Sequence, residues 1–253
     1  MTKGSNQGRS GPVHPTGQLP LPIFPGPRFA ELDFREAPSN ADACAWLRRT
    51  GDWPNHQLAV WGEAGRGKTH LLHIWAARTG ADLWSGADLT GLPDLPAAGI
   101  ALDDANAVAD ETALLHLLNA SAEAHLPLLL AARLPPSRWP VRLPDLASRL
   151  RAMTAVEIGA PDDALLRALL ARLLADRQLR LPTTVHDWLL SRLPRTAAAL
   201  AEAVARLDAM SLDAHRDITV RLARDVLTDL LGPPADEISG TTLPPSQDNP
   251  PLL

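Results

Sequence analysis

The chain has 253 residues, of which 45% are hydrophobic and 21% are charged, and its formal net charge is -5. These values fit a globular protein of one or two domains with its own apolar core. No run approaches the roughly 18 consecutive apolar residues of a membrane span, and the first residues lack a secretory signal, so we expect a cytoplasmic protein with no membrane association. The single cysteine, Cys44, excludes an internal disulfide.

Lysine is rare in this sequence. Of 24 basic residues, only Lys3 and Lys68 are lysine and the rest are arginine. Arginine replaces lysine on most solvated surfaces, so lysine should persist where a compact ammonium group is required. This scarcity singles out Lys68 before any motif is considered.

Proline content divides the chain into four parts. Residues 1–28 and 233–253 hold six prolines each, half of the 24 in the chain, and predict an arm and a tail without a packed core. Between them, patterning changes near Pro161. We expect a base domain at residues 29–159 and a helical domain at residues 160–232.

The base has the alternating pattern of an α/β fold. Short apolar runs bounded by turn signals predict buried parallel strands, at residues 58–61, 99–102, 128–131 and 155–158. Helical patterns between them cover residues 68–79, 111–124 and 146–151. This order predicts a parallel sheet flanked by helices.

The second domain has only helical patterns. They cover residues 162–177, a segment beginning near Thr183, residues 195–210, and a last segment that follows Thr219 and ends at Gly232. Thr219 has the side chain of a helix N-cap. We therefore expect a small helical bundle.

A glycine-rich loop follows the first strand with the pattern G-x-x-x-x-G-K-T. Its members are Gly62, Glu63, Ala64, Gly65, Arg66, Gly67, Lys68 and Thr69. In such loops, backbone N–H groups and the following helix N-terminus surround phosphate oxygens. Lys68 should reach the β- and γ-phosphates, and Thr69 should place its hydroxyl on Mg²⁺. The sequence therefore predicts a nucleotide site.

The strand at residues 99–102 leads into two acids. We expect Asp103 to hold Mg²⁺, directly or through water, and Asp104 to orient the attacking water. Acids after a buried strand are also common loop residues. Their position, roughly 35 residues after the loop, favours the functional interpretation.

Four segments together resemble a known family: residues 33–40, the loop GEAGRGKTHLLH, the run ALDDAN, and PPSRW followed by RLPDLASRL. They are similar to the AAA+ module of the DnaA family of bacterial replication initiators, and most of all to its short Hda-type members, which switch the initiator off. The resemblance covers about residues 18–231. It implies a P-loop AAA+ base with a helical lid, and ADP or ATP with Mg²⁺ as cofactors.

The resemblance also implies roles for two arginines. In RLPDLASRL, Arg149 corresponds to an arginine finger that acts in trans on a neighbour's nucleotide, although an ordinary solvated arginine is the alternative. Ala198 stands where the lid usually presents an arginine to the phosphates, so Arg195 is a possible substitute sensor. Residues 131–133 read Ala-Ala-Arg where the family has a polar sensor. We therefore expect weak hydrolysis by the chain itself.

The N-terminal arm contains a short peptide similar to the clamp-binding peptide of Hda-type proteins. Its residues are Gln18, Leu19, Leu21, Pro22 and Ile23. A proline-stiffened peptide loses little entropy on binding, and its aliphatic side chains suit an apolar groove. The implied partner is the β subunit sliding clamp of DNA polymerase III; a proline-rich linker is the alternative.

These features predict a regulator that is tethered to the clamp and stimulates ATP hydrolysis by DnaA. We expect no sequence-specific DNA binding, because the chain stops after the lid, and we allow a homo-oligomer at the replisome. Two alternatives stay open: a DnaA-like or DnaC-like loader that binds single-stranded DNA and recruits a helicase, and a self-sufficient ATPase. For His70 and His73 we expect packing or capping roles, since no third metal ligand accompanies them. We expect Phe29 and Phe34 either to line the pocket for the base of the nucleotide or to have only a packing role.

Overall fold

The computed structural model describes residues 34–92, 94–214 and 218–231. The predicted arm and tail, including the clamp peptide from Gln18 to Ile23, lie outside the described residues. No helix within the described ranges is long and apolar enough to cross a membrane.

The base is built on a five-stranded sheet in which every pair of neighbours is parallel. The strands are β1 (Gln57–Trp61), β2 (Asp82–Ser85), β3 (Ile100–Asp103), β4 (Leu128–Ala132) and β5 (Ala155–Glu157). Their order in the sheet is β2-β3-β4-β1-β5. The predicted parallel α/β sheet is confirmed, and all four predicted strands are present.

One strand was missed. β2 lies at an edge of the sheet, and three of its four residues are exposed. A strand that buries so little needs no apolar run. It therefore leaves no periodic signal in the sequence.

Eight α-helices are present in the described residues. In the base they are α1 (Ala41–Arg48), α2 (Lys68–Thr79), α3 (Glu111–Glu123) and α4 (Pro144–Ala152). In the lid they are α5 (Asp163–Asp176), α6 (Thr183–Arg192), α7 (Ala197–Ala214) and α8 (Val220–Val226). The expectation of an all-helical second domain is confirmed, whereas α1 was not predicted.

Helix ends follow local capping chemistry. Asp110 and Asp162 cap α3 and α5 by accepting from backbone N–H groups at 3.0 and 2.7 Å. Thr219 caps α8, as predicted. The predicted start of α7 at Arg195 was wrong, because Thr196 accepts from the backbone N–H of Ala199 at 3.1 Å and fixes the cap there.

The end predicted for the last helix was also wrong. α8 stops at Val226, and the chain continues as turns, with the N–H of Leu230 donating to the carbonyl of Leu227 at 2.9 Å. The Gly-Pro-Pro signal at residues 232–234 marks a position beyond these turns, so it could not locate the true end of the helix.

Strand β4 shows how the two faces of the sheet are filled. Leu128 and Leu130 pack into the core formed with α3 and α4, whereas Leu129 and Ala131 pack into the core formed with α1 and α2. Alternate residues of one strand thus serve opposite cores, which explains its continuous apolar run. The lid has a separate core that includes Leu170, Val185 and Val204.

Candidate nucleotide-binding site

The glycine-rich loop lies between the end of β1 and the start of α2. Gly65 and Gly67 adopt left-handed φ angles of 77° and 94°, which glycine accepts without steric cost. A Cβ on Gly65 would lie 2.6 Å from Cγ2 of Thr196, just before α7 in the lid. The loop and the lid therefore touch at a point where only a glycine fits.

Lys68 is folded into this loop. Its side chain is buried, and Nζ donates to the carbonyl oxygens of Gly62 at 2.7 Å and Glu63 at 2.8 Å. Burial lowers the pKa of Lys68, while the negative charges of Asp103 and Asp104 oppose that shift. The ammonium group thus lies inside the loop, with two acids nearby.

Thr69 and Asp103, the two predicted ligands of Mg²⁺, are in contact. The Thr69 hydroxyl donates to Oδ2 of Asp103 at 2.6 Å, and the backbone N–H of Asp104 donates to Oδ1 at 2.9 Å. A hydroxyl and a carboxylate are the oxygen ligands that Mg²⁺ prefers, and this ion usually keeps several waters or phosphate oxygens besides. These two side chains therefore fit a magnesium ion held partly by a nucleotide.

Asp104 turns the chain away from the sheet. It has a left-handed backbone with φ 48° and ψ 40°, and a short 3-10 turn, Ala105–Ala107, follows it. The carbonyl of Asp104 closes that turn by accepting from the N–H of Ala107 at 2.7 Å. This conformation places Asp104 at the carboxyl edge of the sheet, next to Asp103.

Gly86 supports the two acids from the neighbouring strand, and sequence reasoning missed it. A Cβ at Gly86 would lie 2.3 Å from the carbonyl oxygen of Asp104 and 3.2 Å from that of Asp103. The residue follows β2, which pairs with β3 up to Ser85 and Asp103. The sequence did not predict this contact, because it depends on the edge strand β2, which has no periodic pattern of apolar residues.

Arg133 brings a further positive charge to this edge. It follows β4, which lies between β1 and β3 in the sheet. Its backbone N–H donates to Oδ1 of Asn106 at 3.0 Å, which ties the end of β4 to the loop after Asp104. The side chain is exposed, and its charge contributes to the lowered pKa of Lys68.

The proposed sensor Arg195 lies at the connection between base and lid. Its guanidinium donates to the carbonyl of Pro161 at 3.0 Å and to Oδ1 of Asp163 at 2.6 Å. Within the described residues it makes no hydrogen bond to the glycine-rich loop. Arg195 thus links the start of α5 to the start of α7, and its sensor role stays a prediction.

Arg149 projects from α4 away from the core. Leu146 and Leu150 of the same helix are buried, whereas Arg149 is exposed. In the part of the chain that the structure describes, it has no hydrogen bond and no ion pair.

A carboxylate fixes the start of the helix that carries Arg149. Glu111 accepts from the backbone N–H of Arg142 at 2.9 Å and from that of Leu143 at 2.8 Å. Pro144 occupies the first turn of α4, where its missing N–H costs nothing. This anchoring holds α4 against the base.

Phe34 and His70 pack against each other near the glycine-rich loop. Phe34 meets His70 edge to face, with ring centroids 5.4 Å apart, and it lies beside Gly67. Across the described ranges, no group of three or more His, Cys, Asp and Glu side chains is arranged to hold a metal. Phe29 lies outside the described residues.

Comparison with known proteins found a family model that matches the helical lid and a curated protein that matches most of the chain. Residues 162–227 match the family model of the Hda lid domain. An uncharacterized protein of Haemophilus influenzae is 29% identical over 229 residues, which are 83% of this chain and 98% of that protein.

Solved structures share the fold at low identity. Domain III of the Thermotoga maritima replication initiation protein DnaA superposes with a TM-score of 0.67 at 15% identity, over 81% of this chain and 98% of that one. AMPPCP-bound DnaA from Aquifex aeolicus gives 0.57 at 16% identity, over 72% and 67%. A mutant of Thermotoga maritima RuvB gives 0.59 at 19% identity, over 79% and 71%. Residues 162–227 are thus similar to the Hda lid domain, and the chain as a whole shares the fold of the DnaA and RuvB structures.

Proposed function

We propose that this protein binds an adenine nucleotide with Mg²⁺ and, when tethered to the DNA polymerase III sliding clamp, stimulates ATP hydrolysis by DnaA. Initiation of replication is thereby inhibited. The observation that carries the proposal is Arg149, an exposed guanidinium without a partner in the described structure, on a helix that is anchored to a fully built P-loop base.

The nucleotide would bind where Lys68 now donates to the carbonyl groups of the loop. Phosphate oxygens are better acceptors for an ammonium group than neutral carbonyls, because both partners are charged. Thr69 and Asp103 would hold Mg²⁺, which when bound neutralises charge on the phosphates. Arg133 adds a positive charge at the same edge, so the pocket suits a polyphosphate.

Arg149 would act on the nucleotide of DnaA rather than on that of its own chain. A guanidinium presented by a neighbour stabilises charge that develops on the transferred phosphoryl group, and such fingers are worth about 10³- to 10⁵-fold in rate. Anchoring of α4 by Glu111 limits the freedom of the helix that presents this group. Little conformational entropy is then lost when the two proteins dock.

The peptide from Gln18 to Ile23 would supply the tether. Attachment to a clamp on DNA raises the local concentration of the regulator near DNA-bound DnaA. Weak hydrolysis by the chain itself would suit this role. The regulator would then retain its nucleotide, preferably ADP, while it acts on another.

A reconstituted assay tests the proposal. DnaA carrying labelled ATP is mixed with clamp loaded on DNA and with this protein, and the conversion to ADP is followed. Stimulation is expected with the parent chain and with Arg151→Ala, a matched control that removes another exposed arginine of α4. It should be lost in Arg149→Ala and in Gln18→Ala. Equal stimulation by all four proteins would refute the mechanism.

One observation favours the second candidate, a loader that binds single-stranded DNA. Exposed arginines are concentrated on the segment around α4: Arg138, Arg142, Arg149 and Arg151. Such a segment could contact phosphates. A gel shift with single-stranded DNA, in the absence of clamp and DnaA, separates the candidates. Tight and salt-sensitive binding supports the loader.

A further inference from the structure

Two histidines meet at the end of the sheet where the strands begin, opposite to the end that carries the P-loop. Nδ1 of His125 lies 3.1 Å from Nε2 of His56, and the ring centroids are 4.9 Å apart with the planes inclined by 71°. The two residues are 69 positions apart in the sequence. The fold, not the local chain, brings them together.

The pair sits where two neighbouring strands begin. His56 directly precedes β1, and His125 lies between α3 and β4. The first residues of these two strands, Gln57 of β1 and Leu128 of β4, are in register. The P-loop leaves the other end of β1. The histidine pair is therefore separated from the candidate nucleotide site by the length of the strand.

The backbone around this pair is held in an unusual conformation. Among the described residues, five other than glycine have a positive φ, and three of them lie here: Asn55 at 52°, His56 at 59° and His125 at 53°. Such conformations collect at ligand sites, where the surrounding structure keeps them in place. His125 also follows α3 at the position where glycine is favoured. Both histidines thus occupy turn positions that other residue types, such as glycine, fill more often.

A buried polar contact fixes both loops to one frame. Nε2 of Gln57, the residue after His56, donates to the carbonyl of Leu118 at 2.6 Å and to the hydroxyl of Ser121 at 2.9 Å. Leu118 and Ser121 belong to the last turns of α3, which end just before His125. Both imidazoles are therefore positioned by the same rigid connection between β1 and α3.

We propose that His56 and His125 bind a divalent transition metal ion, with Zn²⁺ as the leading candidate. Neutral imidazole nitrogens are common ligands of such ions, and two nitrogens at about 2.0–2.1 Å from one tetrahedral ion lie roughly 3.3 Å apart. The observed separation of 3.1 Å is close to this value, but both rings must rotate, because in the present contact one nitrogen points its N–H at the other, whereas two ligating lone pairs converge on the ion. The ring that donates the present hydrogen bond moves its proton to its other nitrogen, so each ring offers one lone pair and keeps one N–H.

The remaining coordination positions belong to water. No cluster of three or more His, Cys, Asp and Glu side chains suited to a metal occurs in residues 34–92, 94–214 and 218–231. A site with two protein ligands at the surface is open, so the ion exchanges with solvent and is not required for folding. Its bound form would hold the starts of β1 and β4 together.

Calorimetric titration of the full chain, prepared without a histidine tag or nucleotide, tests this site with ZnCl₂ and NiCl₂. One bound ion per chain is expected. His56→Asn and His125→Asn should each weaken binding by about 10-fold or more, as loss of a metal contact does. Asparagine tolerates the left-handed backbone, so both variants should fold. His116→Ala, which removes an exposed single histidine on α3, should bind as the parent does.

Thermal unfolding gives a second readout. Zn²⁺ should raise the unfolding temperature of the parent chain and of His116→Ala, but not that of the two asparagine variants, because only an ion bound to the folded state stabilises it. No ion bound by the parent, or the same affinity in His56→Asn and His125→Asn as in the parent, would overturn the assignment. Both results are independent of the proposed action on DnaA.

Discussion

The hydroxyl of Thr69 donates to Oδ2 of Asp103 across 2.6 Å, although 34 positions separate the two residues. Thr69 lies in α2, which follows β1, whereas Asp103 ends β3, and β4 lies between β1 and β3 in the sheet. The contact arises since α2 starts at Lys68 over the carboxyl edge of the sheet, where β3 ends at Asp103. Thr69 thus connects the phosphate loop to the strand that bears the acids.

The first prediction concerns Lys68. Lys68→Ala should weaken binding of Mg²⁺-ADP by about 10- to 100-fold, because a hydrogen bond to a charged group contributes about 1.5–3 kcal/mol. Lys68→Arg should not restore the affinity, since a planar guanidinium does not fit between the two loop carbonyls. Titration calorimetry with ADP measures both effects. Unchanged affinity in Lys68→Ala would place the nucleotide elsewhere.

The sequence singled out the residues predicted to bind the nucleotide and Mg²⁺, but not the residue that supports them. Lys68, Thr69 and Asp103 belong to local motifs, so each was recognised from its own neighbours along the chain. Gly86 was missed, because its role depends on pairing between β2 and β3. Long-range register of that kind has no local pattern in a mostly exposed strand.

The lid illustrates the same limit. Its helices were recognised from leucine periodicity, but the contact of Thr196 with Gly65 joins two domains and follows from no periodicity. The partners of Arg195 likewise depend on how the segment around Pro161 folds back on the start of α7. His56 and His125 meet only because their strands are neighbours in the sheet.

The second prediction concerns the only cysteine of the chain. Cys44 is buried in α1, with its thiol 3.7 Å from Oδ1 of Asn40, and burial raises its pKa to about 11. Since the thiolate is the reactive form, Cys44 should resist iodoacetamide at neutral pH in the folded chain. It should react promptly in denaturant. Fast labelling of the native protein, followed by mass spectrometry, would contradict the burial of α1 against α2.

The third prediction concerns the cap of α3. Asp110 accepts from the N–H of Ala113 at 3.0 Å and from that of Gly91 at 3.2 Å. These backbone hydrogen bonds, with that of Ala113 the largest influence, lower the pKa of Asp110 from 3.8. Because the pKa of Asp110 is lowered by folding, its ionised form stabilises the folded state at pH values above the unfolded-state pKa. This contribution is lost as the pH falls through the folded-state pKa.

Asp110→Asn isolates this effect. Asparagine still caps a helix but does not titrate in this range. The stability difference between parent and variant, from urea unfolding, should therefore shrink as the pH falls from about 6 to about 3. Asp88→Asn is a suitable control, because the Asp88 side chain is exposed and caps no α-helix. A parallel pH response in both variants would contradict the capping role.

The fourth prediction concerns Gly86, which supports the two acids. A methyl group on this residue would come within 2.3 Å of the carbonyl oxygen of Asp104, so Gly86→Ala must displace either β2 or the turn after β3. Overpacking of this kind costs about 1–3 kcal/mol. The displacement should also weaken Mg²⁺-dependent nucleotide binding, because Asp103 moves relative to Thr69.

Gly51→Ala is the matched control for this substitution. A Cβ at Gly51 would meet nothing within 4 Å, so the alanine should leave both stability and nucleotide affinity close to those of the parent. Urea unfolding and titration with ADP, each with and without Mg²⁺, compare the two variants. If Gly86→Ala behaves like Gly51→Ala in both measurements, then β2 does not hold the acids in place, and Asp103 and Asp104 are positioned by β3 and the turn that follows it alone.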